Sequence, residues 1–99
     1  MSNDIKATVV KGKQVYITNG FRSPGYTDDN IVAMTVADPM VKQPGRILNP
    51  ICKALEYEGV ACYINKQQAG PAGAVFIDKS SISATTFKRL FNTDISEWL

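Results

Sequence analysis

The side chains with the most chemical potential in this 99-residue chain are Cys52 and Cys62. Their spacing is not that of a C-x-x-C redox motif, and the sequence has no histidine to complete a zinc site. Cys52 falls on the apolar side of a predicted helix, and Cys62 falls on the apolar side of the strand that follows. A disulfide between them is geometrically possible, but the cytosolic setting argued below disfavours it. Both are therefore predicted to be structural thiols, with no metal bound.

Catalytic constellations are hard to find elsewhere in the chain. Without histidine there is no Ser-His-Asp triad, no Cys-His pair and no common proton shuttle near neutral pH. Asp28 and Asp29 are adjacent carboxylates, but neighbours in sequence usually point apart and are typical of a solvated turn. The sequence therefore predicts a protein that is not an enzyme and carries no cofactor.

Two arginines are candidates for anion binding. Arg46 lies just ahead of a predicted helix start, where free N–H groups and the helix dipole favour negative charge. Arg22 lies between Phe21 and Tyr26, so these side chains together could hold a nucleotide or a phosphorylated metabolite by stacking and bidentate contact. In the competing interpretation, which we favour, Arg46 is an ordinary surface residue and Phe21 or Tyr26 packs into the core under its own loop.

Basic residues suggest a second, weaker ligand class. Eleven Lys and Arg against nine Asp and Glu give a net charge of +2. One predicted hairpin carries a cluster of lysines, Lys6, Lys11 and Lys13. These lysines could contact phosphate, but we favour the interpretation that they protect a solvated strand edge. The second half of the chain also imitates part of a winged helix, with residues 66–73 as the wing. The helix that would enter the DNA groove has no basic face, which weakens that interpretation.

The first forty residues are rich in strand signals. Residues 5–10 and 14–18 are β-branched runs around a Gly-containing turn, which predicts a hairpin. Residues 19–30 are dense in turn formers and predict a long loop of the kind that often carries function. Residues 30–37 predict a third strand that is apolar on both faces, as in a central strand.

The remaining elements are marked by caps. Asn49-Pro50 predicts an N-cap and the first residue of a helix over residues 50–58, with Gly59 as its left-handed C-terminal residue. Strands are expected at 60–65 and 74–78. Ser81 or Ser83 would cap a last helix that breaks near Asn92.

The order β-β-β-α-β-β-α predicts an α+β fold: one small domain over residues 1–99, with a mostly antiparallel sheet and two helices packed on one face. A chain of this length buries enough surface for one modest core. It contains no apolar run of about 18 residues, which predicts no membrane association. It also begins with no secretory signal pattern, which predicts a cytoplasmic protein.

The chain ends on large apolar side chains, and apolar ends usually dock somewhere. Docking on the protein's own core is the first expectation, and docking on a partner or a second copy is the alternative. We expect a small interaction module, such as a bacterial or phage accessory protein, that inhibits, adapts or regulates a larger macromolecule. A small anionic-ligand binder is the second expectation and a nucleic-acid binder the third. The predicted partner-binding residues are Phe21, Arg22, Tyr26, Ile95, Trp98 and Leu99; those for a ligand are Arg22 and Arg46.

Overall fold

The structure, a computed structural model, describes residues 4–23, 25–36, 45–65 and 74–99, with backbone alone at positions 22, 23, 26 and 65. Five strands form one sheet in the order β1-β2-β3-β5-β4, and every neighbouring pair is antiparallel. The strands are β1 (Ile5–Val10), β2 (Lys13–Ser23), β3 (Tyr26–Val36), β4 (Cys62–Asn65) and β5 (Ala74–Asp78). Two α-helices, α1 (Gly45–Tyr57) and α2 (Ala84–Phe91), complete the order. The predicted α+β order is confirmed.

The first hairpin turns at Lys11 and Gly12, which both have positive φ, at 55° and 77°. Two such residues between paired strands make a type I′ turn, whose twist matches that of the strands it joins. Val10 and Lys13 are direct partners across this turn. The predicted hairpin is confirmed, and its second strand runs five residues further than the sequence indicated.

The predicted loop over residues 19–30 is wrong, because β2 and β3 continue through it as a paired ribbon from Asn19/Val32 out to Ser23/Tyr26. The turn-forming residues are absorbed locally. Gly20 sits at φ 82° where the register shifts between Asn19 and Phe21, so it forms a β-bulge. Pairing of β2 with β3 gives the backbone groups of this segment hydrogen-bond partners within the sheet. These hydrogen bonds outweigh the local turn propensity.

The third strand lies at the centre of the sheet, paired with β2 on one side and β5 on the other. Val32 and Met34 point into the main core and are fully buried. Ile31 and Ala33 point to the opposite face and are also buried, at 9% and 3% exposure. The prediction of a central strand that is apolar on both faces is confirmed.

The main core lies between one face of the sheet and the two helices, as predicted. Inward-facing strand residues alternate with residues that point to the other face, as the period of two requires. The largest fully buried side chains of this core are Ile17, Met34, Leu48, Ile51, Leu55, Ile77, Phe87 and Ile95.

Helix α1 begins five residues earlier than predicted, at Gly45, so Pro50 lies inside it rather than at its start. Asn49 is correspondingly a helical residue and not the N-cap. Pro50 removes one backbone donor from the helix, which is costly in a helix interior. Ile47 and Leu48 are buried at 5% and 1% exposure, one turn before Ile51. Burial of this additional apolar turn offsets the cost of the proline.

The end of α1 matches the prediction. Gly59 has φ 79°, its N–H donates to the Glu56 carbonyl at 2.9 Å, and the Val60 N–H donates to the Leu55 carbonyl at 3.0 Å. These two bonds define a Schellman motif, and the burial of Leu55 and Val60 is typical of it. The motif turns the chain straight back from α1 into β4.

Helix α2 is capped by a side chain at its N-terminal end and by a left-handed residue, whose backbone N–H donates to the Lys88 carbonyl, at its C-terminal end. The Ser83 Oγ accepts a hydrogen bond from the Thr86 N–H at 3.2 Å, and Asn92 ends the helix at φ 54°. Ser81, the other predicted cap, instead accepts from the Ala61 N–H at 3.0 Å and donates to the Asp78 carbonyl. The predicted break near Asn92 is confirmed.

Gly20 and Gly59 offer a matched test of the bulge. Both have positive φ, so replacement by alanine strains either one; Gly59→Ala meets no atom within 4 Å and should cost about 1 kcal/mol. At Gly20 the new Cβ would also lie 3.0 Å from the Asp28 carbonyl oxygen. We expect Gly20→Ala to lower the free energy of unfolding by about 2–4 kcal/mol, measured by urea titration of Trp98 fluorescence. Equal losses at the two sites would contradict the described bulge.

Candidate functional site

The C-terminal segment docks on the protein's own core. Ile95 is fully buried and Trp98 is 7% exposed, within the main core, whereas Leu99 is 47% exposed. Glu97 pairs with Lys6 of β1 at 2.6 Å, and the Lys6 ammonium lies 5.4 Å from the centre of the Trp98 ring. A contact of Ile95 or Trp98 with a partner stays a prediction, and it would require this segment to open.

Lys6 is consequently occupied within the chain. Besides its contacts with Glu97 and Trp98, its Nζ donates to the Asp94 carbonyl oxygen. The contact between Lys6 and Glu97 lowers the pKa of the Glu97 carboxyl from its usual 4.5, because the Lys6 ammonium hydrogen-bonds to the charged form of the carboxyl. Of the three lysines that suggested a basic stripe, Lys6 therefore serves to hold the C-terminal segment against β1.

Phe21 and Arg46, the two residues of the predicted anion site whose side chains the structure describes, lie on opposite sides of the sheet. Arg46 is exposed in the first turn of α1, which packs on the helix-covered face of the sheet. Phe21 packs on the opposite face, against Phe76, with ring centres 5.1 Å apart. The side chains of Arg22 and Tyr26 lie outside the described residues. The sheet thus separates Phe21 from Arg46. The carboxylate of Asp28, on β3, accepts a hydrogen bond from the Asn30 N–H at 2.9 Å.

The face of the sheet opposite the two helices carries the largest exposed apolar side chains of the strands. We call it the open face. On β1, Ile5 and Val9 are 60% and 68% exposed, and Tyr16 of β2, opposite Ala7, is 43% exposed. Directly paired residues share a face, and so do residues two apart on a strand, so Tyr16 lies beside Ala7 on the face that also carries Ile5 and Val9. Strand β1 is also an edge strand, so one side of its backbone has no neighbour in the described sheet.

The other half of the open face is aromatic. Phe76 of β5 is 1% exposed, and Phe21 and Tyr63 meet it edge-on, with ring centres 5.1 and 5.4 Å away. Tyr63 itself remains 53% exposed. None of the buried residues of this cluster comes from either described helix. The pair Phe21–Phe76 therefore gives the β2–β3 ribbon its own anchor on the sheet.

A second chemical cluster joins the end of α1 to the start of β4. The Cys52 and Cys62 sulfurs lie 3.3 Å apart, and the Cys52 sulfur lies 3.4 Å from Oε1 of Glu56. Both cysteines are free thiols. Burial, together with the hydrogen bonds to Cys62 and Glu56, raises the pKa of Cys52 to about 12, and burial raises the pKa of Cys62. Both thiols are thus protonated at neutral pH in the absence of another ligand.

Glu56 is not among the predicted ligands, because histidine is the usual additional ligand beside two cysteines and the sequence has none. A signal was available, since Cys52 and Glu56 are four residues apart and such residues lie on one face of a helix. Cys62 could not be added to that pair without knowing that the Schellman motif returns the chain so abruptly. The prediction that both cysteines are reduced and packed near the core agrees with their burial.

Comparison of the chain with protein-family models, with curated proteins and with solved structures finds no match. Among the described residues, no helix has the length and apolar character needed to cross a membrane. Any function must therefore be argued from the geometry of this chain itself.

Trp98 and Leu99 are adjacent but differ in environment, and this difference can be measured. Trp98→Ala removes a buried ring and should lower the free energy of unfolding by about 3–5 kcal/mol. Leu99→Ala should cost less than about 1 kcal/mol, because the side chain is half exposed. Circular dichroism during urea denaturation gives both values without relying on the tryptophan. A Trp98→Ala variant as stable as the parent would show that the segment is not part of the core.

Proposed function

We propose that this chain is a small non-catalytic interaction module of the cytoplasm that inhibits, adapts or regulates a larger protein. The observation that carries the proposal is the exposure of Ile5 and Val9 on the edge strand β1, with Tyr16 of the adjoining strand β2 exposed on the same open face. Contiguous exposed apolar side chains usually mark a contact surface. Here they accompany a strand whose outer backbone groups have no partner in the described sheet.

The mode of binding that fits this edge is addition of a strand. An extended segment of the partner would pair with the β1 backbone and place alternate apolar side chains against Ile5 and Val9. Natural sheets commonly protect such an edge with charge. On β1 the only charged residue, Lys6, points to the helix-covered face and contacts Glu97, so the open face of this edge is left apolar.

The residues predicted earlier for partner binding contribute unequally to this proposal. Phe21 lies on the open face, although half-buried against Phe76, and belongs to the proposed surface. Leu99 is exposed, whereas Ile95 and Trp98 serve the core. The anionic-ligand and nucleic-acid alternatives stay predictions without a specific observation in their favour. A second copy of this chain is a further partner that the test below distinguishes.

A photo-crosslinking amino acid at position 9 tests the proposal, with the same amino acid at Tyr57 as the matched control. Both side chains are highly exposed, at 68% and 91%, but Tyr57 lies on α1. After irradiation in nuclease-treated native lysate, position 9 should yield one abundant protein adduct, and position 57 should not. Ile5→Lys, combined with the crosslinking amino acid at position 9, should remain folded, since Ile5 is 60% exposed, and should lower the yield of the adduct at least tenfold.

Three outcomes would overturn the proposal. Equal crosslinking from positions 9 and 57 would show that the edge of β1 is not special. Adducts with a second copy of the chain alone would make the surface a self-association site. An undiminished yield of the adduct from the Ile5→Lys variant would place the partner elsewhere on the molecule.

A further inference from the structure

We propose that Cys52, Glu56 and Cys62 form a binding site for a zinc ion, with two thiolates and one carboxylate as protein ligands and water in the fourth position. The site is independent of the open face. It lies on the helix-covered side, where the last turns of α1 meet the first residue of β4.

The ligand atoms already approximate one triangular face of a tetrahedron. Zinc bonds of about 2.3 Å to sulfur and about 2.1 Å to oxygen place the ligands of a tetrahedral site about 3.8 Å (sulfur to sulfur) and about 3.6 Å (sulfur to oxygen) apart. The corresponding distances here are 3.3 Å for Cys52 to Cys62 and 3.4 Å for Cys52 to Glu56. All three ligand atoms lie within 4.8 Å of one another. Small side-chain rotations therefore suffice to admit the ion.

The scaffold holds these ligands in place before any metal binds. Cys52 and Glu56 are one helical turn apart on α1, and Leu55 between them is fully buried. The Schellman motif at Gly59 fixes the return of the chain, and the pairing of Cys62 with Ile77 of β5 fixes the start of β4. A site on such paired and packed elements loses little conformational entropy when it binds.

Access and donor chemistry favour zinc. Cys52 is buried, Cys62 is half-buried and Glu56 is exposed, so the Glu56 ligand is the part of the cluster that meets solvent, which is where we expect water to complete the coordination. Two thiolates with a carboxylate form a donor set that suits zinc, whereas magnesium and calcium require oxygen ligands. Binding replaces two thiol protons: Zn²⁺ and two SH groups give two Zn–S bonds and two released protons.

A disulfide is the competing outcome for the same sulfurs. It would need the 3.3 Å separation to shorten to about 2.05 Å and an oxidant to accept two electrons. It would also leave Glu56 with no part in the cluster, although its carboxylate lies 3.4 Å from the Cys52 sulfur. The convergence of three donors is therefore the observation that favours the metal.

Native mass spectrometry of the reduced full chain, with zinc added under argon, tests the site directly. We expect one zinc per chain and a mass increase that equals one zinc minus two protons. Cobalt in place of zinc should produce sulfur-to-cobalt charge-transfer absorption, which reports thiolate ligation. Competition with a chelating dye then gives the affinity, and zinc should raise the melting temperature by mass action.

The variants separate the ligands from their surroundings. Cys62→Ser should lower the zinc affinity by about a hundredfold or more and weaken the charge-transfer band, to which Cys52 alone would then contribute, and Glu56→Gln should lower the affinity by about tenfold or more. Glu58→Gln makes the same chemical change two residues away, at a carboxylate that pairs with Arg89 at 2.8 Å, and should leave the affinity unchanged. Glu56 is exposed, so Glu56→Gln should fold normally. It therefore tests the site even if Cys62→Ser fails to fold.

The proposal fails if the reduced chain takes up no zinc. It also fails if the cobalt complex shows no sulfur charge transfer, or if Glu56→Gln and Glu58→Gln have the same effect. Complete oxidation of the pair, seen as a loss of two hydrogens with zinc present in excess, would identify the cluster as a disulfide pair instead.

Discussion

The structure depends on the double pairing of β3. This strand hydrogen-bonds to β2 on one side and β5 on the other, and its residues alternate between two buried environments. Val32 and Met34 belong to the core under the helices, whereas Ile31 and Ala33 belong to the cluster around Phe76. A shift of one residue in the register would exchange these sets, so the two apolar faces fix the strand's pairing as well as its position. The edges of the sheet are specified less strongly, and β1 is the edge that exposes aliphatic side chains.

Sequence reasoning predicted the elements well where the signal was periodic or where a cap was local. The two-faced pattern of β3, the left-handed end of α1 at Gly59 and the Ser83 cap of α2 were all read from neighbouring residues. It failed where tertiary structure overrides local propensity. The turn formers of residues 19–30 are consistent with a loop, but pairing between strands converts them into a bulged ribbon. Likewise, Pro50 is a good first helical residue, but burial of Ile47 and Leu48 extends the helix past it.

The candidate sites show the same limit. The sequence identified apolar ends and two cysteines, but neither the exposure of Ile5 and Val9 nor the approach of Glu56 to the thiols follows from composition. Predicting the exposure of Ile5 and Val9 requires the strand order, because β1 is an edge only if no later strand joins it. Predicting the approach of Glu56 to the thiols requires the direction in which the chain leaves α1, which depends on two backbone hydrogen bonds at the Schellman motif. The burial of Trp98, in contrast, is predicted from the sequence. The structure adds the reason that the C-terminal segment stays in place, since Lys6 pairs with Glu97 and lies against the Trp98 ring.

The pairing of β3 with β5 has a consequence for how the chain folds. Strands β1, β2 and β3 meet through short connections, so their ribbon closes small loops and can form early. Strand β5 must instead bring Asp78 back to Ile31, across nearly half the chain. Until it does so, one edge of β3 remains open and both of its apolar faces are incompletely covered. Because this contact is non-local, we expect it to form late and to slow folding, and we expect the open edge of β3 to be the place where an incompletely folded chain pairs with another copy.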